Sequence, residues 1–253
     1  MKRFWLAMSM VVLSVAALAY VYLPPLWHEW LGIALGGIVL CHCAINYRWF
    51  CRLMGVGDKG MPVAKIRFTA WSVYQVVLNV LLIISFSVTM VTGILLSKYL
   101  FVDIVPYTWH RALWIYEWHT VAAWSLPVVF GLHMGLHGRI LLWRCSALSQ
   151  KMRELWRTKG SLSAATNTEK KEWTKMVVGK GVRFLLIGGC IVGGLYGILA
   201  NRLAERFFFV HVYSSPAADL PGEGYALVVV TMIGLYALIG YWLGNRIVRN
   251  KEQ

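Results

Sequence analysis

The sequence predicts an all-α fold, a polytopic integral membrane helical bundle of about six transmembrane helices. Three observations predict it. First, 58% of the 253 residues are hydrophobic and 14% are charged, whereas soluble domains run near 45–50% and about 25%; mean hydropathy is +0.60. Second, the apolar residues gather into six runs of membrane-crossing length, which need about 20 residues each. Third, the basic residues fall on alternate connections between those runs. Six crossings consume most of the chain, so any chemistry sits in the helices rather than in a separate soluble domain.

The runs lie at about 4–23, 26–47, 68–100, 110–142, 184–204 and 225–243. The first opens with Lys2-Arg3 and carries Ala17-Leu18-Ala19, as a cleavable leader does, but its length exceeds the 7–15 residues usual for a leader core, so it is expected to be a retained helix. The third and fourth exceed one crossing and are expected to tilt or to project beyond the lipid. Residues 144–183 are polar and loosely patterned and read as a cytoplasmic linker. They separate a four-helix membrane core, 1–143, from a C-terminal transmembrane hairpin, 184–253. Pro216, Asp219, Pro221 and Gly222 mark an outer loop inside that hairpin.

In this six-span reading, 21 of the 25 Lys and Arg residues fall on one side. That side is expected to be cytoplasmic, with both termini on it. The formal charge of +14 is then the basic bias of cytoplasmic loops, and no nucleic-acid partner is expected. The five cysteines show no zinc spacing and no covalent haem-attachment motif, which points to free thiols.

Five of the seven histidines form two matched sets. His28 and His42 lie in the second run, and His119, His133 and His137 in the fourth. His28 to His42 and His119 to His133 are both 14 residues apart. Fourteen residues advance a helix by roughly 21 Å through nearly four turns, so each pair lies on nearly one face at two depths. Both runs cross from outside to inside, which stacks two cross-helix histidine pairs. A lone membrane histidine is ordinarily an interhelical hydrogen-bonding residue; four at matched depth are what two bis-histidine b-type haems require.

His137 lies 18 residues from His119 and returns to the same helix face, so His133 and His137 both remain candidates for the inner ligand. The other is expected to serve as a hydrogen-bond partner or proton carrier near a quinone. Gly32 and Ala123, with Gly36, Gly37 and Ala122 nearby, leave room for a flat ring beside the outer pair. Haem propionates need cationic or hydrogen-bonding partners at the membrane interfaces, and Arg111, His110, Arg48 and Arg67 are placed to serve. No G-x-G-x-x-G or Walker A loop is present, and Glu29, Asp103 and Glu117 sit at the outer rim rather than at midplane, where a proton-coupled transporter buries a carboxylate.

The strings HEWLGIALGGIVLCHCAINYRWF from His28 and H-x13-H-M-G-L-H from His119 resemble the flavinylation-associated membrane cytochromes, close in logic to the cytochrome b561-type membrane subunits of hydrogenases and formate dehydrogenases. The resemblance covers residues 26–142 and is weaker in the last hairpin. It implies a dihaem protein of the bacterial inner membrane that carries electrons between the quinone pool or the cytoplasmic side and an extracytoplasmic flavoprotein. His28, His42, His119 and one of His133 or His137 would hold two non-covalent haem b groups. Two alternatives stay open: a quinol-oxidising anchor subunit for a periplasmic iron–sulfur or molybdenum enzyme, and a histidine-bearing metal or solute transporter. An extracytoplasmic flavin or iron–sulfur partner is expected to dock over Glu29, His110, Arg111 and Glu117, close to the outer pair.

Overall fold

The computed structural model describes residues 2–54, 69–138, 168–210 and 216–249. All regular elements among them are helical: α1 (Lys2–Leu18), α2 (Pro25–Ile45), α3 (Tyr47–Met54), α4 (Ala70–Leu95), α5 (Tyr107–His110), α6 (Leu113–Leu136), α7 (Thr168–Ala200), α8 (Leu203–Phe207) and α9 (Gly222–Arg249), with short 3-10 turns at Tyr20–Tyr22 and Pro216–Asp219. Four helices are long and apolar enough to cross a membrane: α2, α4, the Gly181–Ala200 part of α7, and Gly222–Val248 of α9. The apolar stretch of α1, Trp5–Leu18, is shorter. Helix α6 has the length, but Glu117, His119, His133 and Pro127 dilute its apolar character. The chain is thus an all-α multi-pass membrane protein with four candidate spans.

Local chemistry explains the boundaries. Pro25 stands at the start of α2, where its missing N–H costs nothing. Thr69 and Ser72 close a reciprocal capping box at the start of α4. The third and fourth helices are shorter than their apolar runs, at 26 and 24 residues, though each still exceeds the length of about 20 residues that one crossing needs. Helix α4 stops at Leu95 because Ser97 and the next backbone N–H groups are captured by Glu29, and α6 ends at Leu136 with His137 as its C-cap. Part of the expected linker is also helical, since α7 starts at Thr168; residues 139–167 lie outside the described residues, as do Arg67 and Cys145.

The last helix is not a peripheral hairpin element. Helix α6 packs most extensively against α9 and α4, and α9 also packs along α7. Close approach at the α6–α9 crossing depends on glycine. A Cβ on Gly135 would lie 2.0 Å from the Ala237 carbonyl oxygen, and one on Gly240 would lie 2.3 Å from that of Leu132. Without a hydrophobic drive between helices in lipid, such small-residue contacts are how backbones gain packing energy. The buried core beside this crossing holds Trp124, Tyr225, Val229, Met232 and Ile233. Helix α2, by contrast, packs on α1 and only lightly on α4, which leaves space between it and α6.

Candidate functional site

That space is a cavity of about 300 Å³. His28 on α2 and His119 on α6 line it, together with Tyr20, Gly32, Met90, Gly93, Ala123 and Pro127. The two imidazole ring centres are 6.4 Å apart and the rings are nearly perpendicular, at 83°. An imidazole nitrogen sits about 2 Å from a first-row metal and the ring centre roughly 1 Å further back, so two rings on opposite sides of one ion are about 6 Å apart. The outer pair has that separation.

His119 is oriented by α4. Its Nδ1 lies 3.1 Å from the Thr89 carbonyl oxygen and 3.1 Å from Thr92 Oγ1. A carbonyl only accepts, so Nδ1 carries the proton and Nε2 keeps the lone pair that a metal takes. Thr92 Oγ1 in turn donates to the Val88 carbonyl. The ring packs closely against Gly93, whose Cβ, were there one, would be 3.2 Å from His119 Cε1. On the facing helix, His28 Nδ1 is buried with no hydrogen-bond partner, and the Tyr20 ring meets His28 edge-on at 5.9 Å. Gly32 has open space where a Cβ would project. Of the other small residues, Gly36 faces Met90 and Ala122 is buried in packing.

Glu29 holds the cavity's outer edge. Its carboxylate accepts from Ser97 Oγ at 2.7 Å, the Lys98 N–H at 2.8 Å and the Leu100 N–H at 2.9 Å. Because α2 and α4 touch so lightly, this clasp is the main polar tie between the His28 helix and the helix that orients His119. Lys98 itself lines the cavity. Arg111, the expected propionate partner, instead stacks over the Tyr107 ring at 4.8 Å and is not among the lining residues. His110 Nε2 bonds the Val105 carbonyl at 3.0 Å. Glu117 is half-buried and shares a small second cavity with Arg206. Glu29 and Glu117 thus face inward.

The inner set also converges. His133 and His137 have ring centres 4.9 Å apart, and His42 lies close enough to both to act on them electrostatically. His133 Nδ1 is buried without a partner, a cost of about 1–3 kcal/mol unless something engages it. Asn46 Nδ2 donates to the His42 carbonyl and secures the end of α2. None of these three histidines lines the outer cavity. Among the described residues no group of three or more His, Cys, Asp or Glu side chains is placed to hold a metal ion together. Cys41, Cys43, Cys51 and Cys190 are free thiols.

Comparison with family models, with curated proteins and with solved structures finds no match to this chain.

Two residues at this site escape linear reading. Lys98 sits near the end of the third apolar run and becomes a cavity residue only because the chain reverses there. Glu29 resembles a rim carboxylate until its long-range bonds are seen.

Proposed function

We propose that the protein is a dihaem b-type membrane cytochrome that carries electrons across the bilayer. The observation that carries this reading is the His28–His119 pair, 6.4 Å apart across a cavity, with the His119 Nδ1 proton committed to a backbone carbonyl. A haem held there supplies a one-electron carrier that needs no proton at the metal. The chain's own residues do the rest: His28 and His119 would hold the group from opposite helices, Thr89 fixes the tautomer, Glu29 ties the His28 helix to the residues after α4, and Lys98 and Tyr20 would offer polar contacts at its edge.

The inner centre is assigned to His42 with His133, the ligand within the regular part of α6, while His137 at the C-cap is the neighbouring polar partner. Both termini are assigned to the cytoplasm on the basic-residue asymmetry. The exposed Trp27, Trp30, Trp109, Trp114 and Trp118 near the outer pair suit an aromatic belt at the other interface. The motif resemblance to flavinylation-associated membrane cytochromes favours an extracytoplasmic flavin or iron–sulfur partner at that end and the quinone pool as a further redox partner in a bacterial inner membrane.

The reading is tested by transfer across a sealed membrane. Vesicles containing the protein and trapped ferricyanide are expected to bleach the trapped oxidant when dithionite is added outside, at a rate proportional to protein content. Bleaching no faster than in protein-free vesicles would contradict transbilayer conduction.

A further inference from the structure

Arg206 is a cation inside the protein, 6% exposed. The backbone places it there. Helix α7 ends at Ala200, Asn201 is fully buried, and Arg202 takes a left-handed conformation with φ 51°, which turns α8 back against α6. Arg206 Nε donates to the Asn201 carbonyl at 2.8 Å, and the guanidinium carbon stands 5.2 Å from the centre of the Trp124 ring. A carbonyl dipole and a ring face solvate a guanidinium without cancelling its charge. Glu117, Tyr116 and Thr120 share a small cavity with it.

This charge adjoins the outer histidine pair. Trp124 follows Ala123, which lines the main cavity, and packs in one core with Leu18, which lines it too. Tyr20, edge-on to His28, also lies within electrostatic reach of Arg206.

We propose that Arg206 raises the reduction potential of the outer centre, as a positioning charge that touches neither histidine. The inference rests on the haem assignment above. An oxidised centre carries one more positive charge than the reduced one, so a fixed buried cation disfavours oxidation, and low local polarity lets that effect reach across a neighbouring ring. The outer centre then retains electrons in preference to one without such a cation.

Optical redox titration of the purified full-length protein tests this. In Arg206→Gln, the midpoint belonging to the centre lost in His28→Ala is expected to fall by about a tenfold change in the oxidised-to-reduced ratio, about 59 mV for one electron, with haem content and band positions retained. Arg206→Lys should keep most of the native value. Glu117→Gln, which removes a negative charge from the shared cavity and leaves the buried arginine in place, should shift the same midpoint upward. An unchanged outer midpoint in Arg206→Gln with normal haem content overturns the inference. If that variant fails to accumulate, an unmoved midpoint in Glu117→Gln overturns it instead. Native protein lacking any b-type spectrum overturns the haem assignment and this inference together, whereas a native spectrum with unmoved midpoints overturns this inference alone.

Discussion

Replacing His28 or His119 with Ala is expected to remove one haem completely and leave the other, cutting haem per chain from two to one. On the proposed haem assignment the effect would be large, because a haem without a thioether anchor would lose one of the two imidazoles that hold it. The two substitutions should give the same residual spectrum, since they empty the same site from opposite helices. His42→Ala should leave the complementary spectrum. Glu29→Ala provides the graded case: both imidazoles stay, but the tie from α2 to Ser97, Lys98 and Leu100 is gone, so outer haem should bind more weakly rather than vanish. Pyridine haemochrome counts on the four purified variants check the series, and two haems retained in His119→Ala would remove that histidine from the ligand set.

The second large effect is structural. Gly135→Val is expected to drive α6 and α9 apart, because even the first added carbon would sit 2.0 Å from the Ala237 carbonyl oxygen. Overpacking of this kind costs about 1–3 kcal/mol or more, which for a chain of this size is a fall of roughly 2–12 °C in the melting midpoint. Gly37→Val is the control, since nothing lies within 4 Å of its added Cβ and it faces outward. Thermal unfolding in detergent, followed by circular dichroism, compares the two. Equal midpoints for Gly135→Val and native protein would mean that the crossing does not depend on glycine.

These two predictions also mark what linear sequence does and does not carry. Histidine spacing is legible because helix geometry alone converts 14 residues into one face at two depths, and the structure does place His28 and His42 on α2 and His119 and His133 on α6. In the string Leu132-His133-Met134-Gly135-Leu136-His137 the histidines draw attention and Gly135 reads as a spacer. Its role depends on Ala237, a hundred residues away, and no local pattern reports that. The same reason hides the central position of α9, whose apolar run resembles that of any span. The end of α4 is missed because hydropathy continues through Leu96 and resumes at Leu100, while the break comes from a distant carboxylate, Glu29. Arg206 sits among outer-loop residues in the sequence and becomes a core cation only through the left-handed turn at Arg202.

Whether two histidine pairs hold two haems is decided by the haem content and reduced-minus-oxidised spectrum of the purified native protein. Two haems per chain are expected, extractable with acidic acetone, with a b-type alpha band on reduction. A folded, colourless protein with no haem in the extract would contradict this expectation.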